Sequence, residues 1–178
     1  MIPNETLSYI AGFVAMVFVI LAYFVKKKEM YLVYQSLCIM GLVFSYLFNA
    51  QFFAMIGLFI SLCRALTFFL IERKGKKASI ALSFLFAGLT VASYFIVNFW
   101  ILGDAQPLDI LCLASACMYA FIFRIRDLKT VRFTMLVPTV ISIAYNVFSG
   151  AALFVTLSYA FELVANVVSI FKYHIIKR

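Results

Sequence analysis

The chain has 178 residues, of which 66% are hydrophobic and only 12% charged, with a mean hydropathy of +1.09. Soluble domains carry about 25% charged residues, so a water-soluble globule is excluded and a polytopic α-helical membrane protein is indicated. The net charge of +8 sits in short Lys/Arg tracts between apolar runs, the pattern of loops facing anionic lipid, and this argues against nucleic-acid binding.

Seven apolar runs follow one another, at the about 17–25 residues a span requires. The first covers Leu7–Val25 and stops at Lys26, Lys27 and Lys28. Neither a positive n-region nor a small-residue cleavage site accompanies it, so it is expected to stay in place. The second runs Met30–Phe48, and after Asn49, Ala50 and Gln51 the third occupies Phe52–Ile71, closed by Arg73, Lys74, Lys76 and Lys77. A fourth covers Ser79–Ile101, a turn follows at Gly103–Pro107, and a short fifth spans Leu108–Phe123. The sixth is Phe133–Phe148, Ser149 and Gly150 break the chain, and the seventh is Ala151–Phe171. All are apolar on every side, which excludes the alternating strands of a membrane barrel.

Loop charges support this count. Connections 1–2, 3–4 and 5–6 and the tail are basic, the last of the three through Arg124, Arg126, Lys129 and Arg132, while the intervening connections carry no cation. By the positive-inside rule the N-terminus lies outside and the C-terminus inside. The layout divides as three, one, three: a single membrane domain over 1–178, with a first half at 1–77, a linking helix at 78–106 and a second half at 107–178. A shift of one hundred residues superposes Lys26 on Arg126, Phe48 on Phe148 and Ala65 on Ala165. A single linking span makes the two trios parallel repeats about an axis along the membrane normal.

Two charges stand where lipid does not tolerate them. Arg64 and Glu162 each lie near the middle of a span, where an ionised side chain costs about 2.5–3.5 kcal/mol on insertion scales. Ser158, Glu162, Asn166 and Ser169 recur on one helical face of the seventh span; Ser61, Arg64 and Thr67 form a looser stripe on the third. Thr139, Ser142 and Asn146 mark the sixth span, and Gln35, Tyr46 and Asn49 the second. These stripes are expected to face a polar centre, with Arg64, Glu162, Asn166, Ser158, Asn146 and Gln35 as candidate solute-binding residues. Ser61, Thr67, Ser142 and Ser158 also fit interhelical hydrogen bonding, worth about 0.6 kcal/mol each, and Arg64 with Glu162 also fits a structural ion pair.

The remaining residues read more plainly. Gly12, Gly41, Gly57 and Gly88 suit close helix packing, Pro138 a kink in the sixth helix, and the aromatics lipid-facing bulk, with Tyr94 and Trp100 at an interface belt. The four cysteines lie in apolar runs and lack zinc-ligand spacing with the lone His174, so no metal or cofactor is expected. No nucleophile–base pair, phosphate loop or metalloprotease motif is present, so the expected protein is not an enzyme.

Phe53–Phe69, FAMIGLFISLCRALTFF, and Tyr145–Tyr173, YNVFSGAALFVTLSYAFELVANVVSIFKY, resemble the YgjV family of bacterial inner-membrane proteins. That resemblance implies a multi-pass protein of the bacterial inner (cytoplasmic) membrane and assigns no activity. The three-one-three layout is also similar to the sugar-transporting SWEET proteins, the PnuC-type vitamin transporters and the KDEL receptors. In SWEET-like proteins an Asn on the third helix of each half lines the pocket; Asn166 matches it in the second half, whereas position 66 is Leu, with Arg64 nearby. The Pro-Gln motif of those relatives is missing, which points from a sugar toward a charged or zwitterionic solute. The expectation is a small-solute transporter or facilitator in the lipid bilayer, with oligomerisation open. The alternative is a receptor-like binder or scaffold clasped by an Arg64–Glu162 ion pair.

Overall fold

The computed structural model describes residues 4–48, 52–97, 107–149 and 153–175. They form seven α-helices: α1 (Asn4–Phe24), α2 (Lys28–Phe48), α3 (Phe52–Arg73), α4 (Ile80–Phe95), α5 (Asp109–Ile122), α6 (Leu128–Phe148) and α7 (Leu153–Ile170), the last continued by a π-helical turn, Phe171–Ile175. Helix is the answer in lipid because it satisfies every backbone polar group within the segment. Among the described residues five helices are long and apolar enough to cross a membrane: α1, α2, Met55–Arg73 of α3, α6, and Val155–Tyr173 from α7 into its π-turn. Helices α4 and α5 are shorter, at 16 and 14 residues. At 1.5 Å per residue α5 reaches about 21 Å, less than the ~30 Å hydrocarbon core. The outer part of the expected fourth span, with Trp100, lies outside the described residues, as does Asn49.

The helix ends have local causes. Helix α3 stops in a Schellman motif: Gly75 takes φ +66°, its N–H reaches the Glu72 carbonyl at 2.9 Å, and the Lys76 N–H reaches that of Ile71 at 3.2 Å. Ser79 caps α4 by accepting from the Ala81 N–H, and Asp127 caps α6 by accepting from Lys129 and Thr130. That Asp127 cap starts α6 at Leu128, five residues before the expected span, and carries Arg132 out of the loop into a buried helical position.

Each helix packs on its neighbours in sequence, and α7 closes back on α1. The basic connections gather at one end. Glu72 pairs there with Lys28 at 3.1 Å and Arg126 at 3.6 Å, and Arg124 Nε donates to the Ala78 carbonyl at 3.1 Å. At the other end Ser8 bonds Ser45 across α1 and α2, and Asp109 accepts from Tyr145 at 3.1 Å. Large apolar side chains such as Phe13, Phe59, Phe84 and Val164 point outward, and the polar stripes point in. Lipid tolerates the apolar outer faces, and the polar stripes find partners inside beside an apolar core.

Glycine gives one close helix contact at Gly41. A Cβ at Gly41 would lie 3.0 Å from Ala15 Cβ and 3.1 Å from the Ala11 carbonyl, so α1 and α2 meet there backbone to backbone. Gly57 and Gly88 have nothing within 4 Å. The aromatics also depart from lipid-facing bulk: Tyr23 and Tyr31 are fully buried and meet edge to face at 5.6 Å.

Candidate functional site

Arg64 and Glu162 stand near the middle of Met55–Arg73 and Val155–Tyr173, and both line one cavity of about 60 Å³. Gln35, Ser61 and Ser158 supply its other polar wall, Tyr119 and Tyr159 its rings, and Val19, Ile39, Leu42 and Leu58 its apolar wall. Periodicity explains who faces in. Ser158, Glu162, Asn166 and Ser169 are 4%, 6%, 0% and 0% exposed, so the whole stripe on α7 is interior.

The two charges do not touch. Among the described residues no ion pair within 4.0 Å involves either Arg64 or Glu162, so the clasp of the alternative reading is not formed. Arg64 is solvated by neutral groups instead. Nη1 donates to the Ala116 carbonyl at 2.9 Å, Nη2 to Ser61 Oγ at 3.3 Å, and the guanidinium carbon lies 5.3 Å from the Phe123 ring centre and 5.9 Å from that of Tyr119. Its Nε is buried with no hydrogen-bond partner. A carbonyl and two ring faces disperse a positive charge without neutralising it.

Glu162 is held from α1. The Tyr23 hydroxyl donates to Oε1 at 2.7 Å, a short bond of the kind carboxylates form. Behind it Gln35 Nε2 donates to the Tyr31 hydroxyl oxygen at 3.4 Å. Two helices from the start of the chain and one from its end thus meet around one carboxyl group. Tyr23, Tyr31, Tyr119 and Tyr159 are the residues that sequence reasoning missed, because in an apolar run a tyrosine reads as bulk.

The remaining candidates lie elsewhere. Gln35 and Ser158 share the cavity with Arg64 and Glu162, but Asn166 and Asn146 do not line it. Asn166 donates from Nδ2 to the Arg132 carbonyl at 2.8 Å, joining α7 to α6. Asn146 is buried on α6. Arg132, read from the sequence as a loop charge, sends Nη2 to the carbonyls of Tyr23 at 3.1 Å and Val25 at 2.6 Å, with its guanidinium 4.8 Å over the Tyr173 ring. The Tyr173 hydroxyl adds a bond to the Phe24 carbonyl at 2.8 Å. Three successive carbonyls at the end of α1, which has no basic residue in its last turn, are therefore capped from α6 and the π-turn. Among the described residues no group of three or more His, Cys, Asp and Glu is placed to hold a metal ion.

Apolar helices of spanning length, lipid-compatible outer faces and a charged centre define a polytopic α-helical membrane protein. More narrowly, residues 6–177 match the model of Imp-YgjV, described as bacterial inner membrane protein, and the chain belongs to that family. It is therefore a multi-pass protein of the bacterial inner membrane, in contact with the lipid bilayer. Comparison with curated proteins and with solved structures gives no match.

Proposed function

We propose that this protein is a small-solute transporter or facilitator whose site is the mid-membrane cavity between Arg64 and Glu162. One observation carries the reading: two buried charges of opposite sign line the same cavity and leave each other unpaired. A purely structural pair gains most by closing on itself, because direct contact adds Coulomb attraction to whatever hydrogen bonds offset each ion's desolvation. In this reading Arg64 holds an anionic group, Glu162 a cationic group or a proton, and Gln35 and Ser158 give orienting hydrogen bonds. Asn166 and Asn146 act through helix packing. The protein is non-catalytic.

The same reading takes the chain as one domain of two parallel trios joined by α4, N-terminus outside and C-terminus inside. The gathering of basic connections at one end supports that orientation. The ring-like order of contacts, with α7 returning to α1, supports a site enclosed by both halves.

Purified protein in liposomes, offered a panel of amino acids, nucleosides, vitamins and small anions, tests the proposal. Uptake of one class that falls about tenfold or more in Arg64→Gln, at equal reconstitution, is the expected result, since a charged hydrogen bond is worth about 1.5–3 kcal/mol. Equal uptake by both proteins would remove Arg64 from the site. Uptake of nothing in the panel would count against transport.

A further inference from the structure

The cavity limits what it holds. A volume of about 60 Å³ takes roughly four to six waters at about 10–15 Å³ each. A solute with about four non-hydrogen atoms, such as formate, acetate or nitrate, suits a space of that size.

Its chemistry is asymmetric. Arg64 is a permanent cation that meets only neutral oxygens and ring faces, and its Nε lacks a partner. It needs an anion. Around Glu162 the nearest groups are donors: the Tyr23 hydroxyl gives its proton to Oε1, and the Gln35 amide, which also donates to Tyr31, lies within hydrogen-bonding reach of the carboxyl. An ammonium would need several acceptors there, so a zwitterion spanning the two charges is poorly served.

The groups facing Glu162 are Tyr23 from α1, Tyr31 and Cys38 from α2, Arg64 from α3, Tyr119 from α5 and Tyr159 on α7. Helix α6 contributes Arg132, which is engaged by the Tyr23 and Val25 carbonyls. Among the described residues no second carboxylate lies with them, and Arg64 is the one cation lining the cavity. When an anion occupies Arg64, an ionised Glu162 confronts a like charge in a small, low-dielectric space.

We propose that the solute is a small monovalent anion bound by Arg64, and that one proton from water enters the Glu162 carboxyl as the anion binds. The proton goes to Oε2, the oxygen that Tyr23 leaves open, and the step adds no net charge to the cavity. This rests on the transport reading above and gives it a substrate class and a coupling ion.

Calorimetric titration of the full chain in nanodiscs with sodium formate, acetate and nitrate tests it, run in two buffers of different ionisation enthalpy to count protons. The expected result is about one proton taken up per anion, with affinity falling about tenfold per pH unit on the alkaline side. Arg64→Gln abolishes the binding. Glu162→Gln, which mimics the protonated carboxyl, binds with no proton uptake and a flat pH profile. Anion binding by the wild type without proton uptake overturns the coupling, whatever the variants do. No small-anion binding, with liposomes still taking up a larger or zwitterionic solute, overturns this inference and leaves transport standing. Neither binding nor uptake by folded protein overturns both.

Discussion

Tyr23→Phe isolates a single atom of the proposed site. The substitution removes the 2.7 Å hydroxyl bond to Glu162 Oε1 and leaves the ring's edge-to-face contact with Tyr31 in place. Arg132 is untouched, because it binds the Tyr23 backbone carbonyl. Interhelical hydrogen bonds in membranes average about 0.6 kcal/mol, because helices separated in lipid find other partners. This bond should exceed that average: it is short, and its loss strands a buried carboxyl oxygen, a cost of about 1–3 kcal/mol. We expect a loss of about 1–2 kcal/mol in reversible SDS unfolding, a factor of about 5–30 in the folding equilibrium. In a Glu162→Met background the same substitution should cost nearly nothing. A cost below about 0.3 kcal/mol in the wild-type background, or equal costs in both, would refute the Tyr23–Glu162 link.

Other substitutions test the frame around the cavity. Gly41→Val should destabilise by about 1–3 kcal/mol in the same unfolding assay, because even the first side-chain atom meets Ala15 Cβ at 3.0 Å and the Ala11 carbonyl at 3.1 Å. Gly57→Ala and Gly88→Ala, with nothing within 4 Å, should be neutral or stabilising by up to about 1 kcal/mol. Asn166→Ala should cost about 1 kcal/mol through the lost bond to the Arg132 carbonyl, and solute affinity in liposomes should stay unchanged because the residue is outside the cavity. Glu72→Gln should cost at most about 1 kcal/mol, and the difference from wild type should shrink in high salt, since its partners Lys28 and Arg126 lie at the membrane end.

The seven helices were readable from the sequence because lipid enforces length and apolarity, and the α7 face was readable because four polar residues at helical spacing can only point one way. Depth and partner were less readable. Asn166 shares the interior face of Glu162 but lies one turn along, where it meets the start of α6 rather than the cavity. Arg132 belongs to a basic tract, so composition placed it in a loop. The better signal was Asp127 with Thr130 three residues on, an N-cap that starts α6 before its apolar stretch begins. The tyrosines were opaque for another reason. A phenol is apolar along its length and polar at its tip, and only the tertiary fold decides that the Tyr23 tip meets Glu162 across 139 residues.

The separation of the two buried charges is the claim on which the transport reading stands. Rotational-echo NMR on lipid-embedded protein, with nitrogen-15 in the Arg64 guanidinium and carbon-13 in the Glu162 carboxyl, measures it directly. The expected result is no dephasing of the kind an ion pair within 4.0 Å gives. A carbon-13 label at the Ala116 carbonyl, whose oxygen lies 2.9 Å from Arg64 Nη1, should dephase strongly in the same sample. Strong dephasing between Arg64 and Glu162 would mean a closed ion pair and would contradict the account.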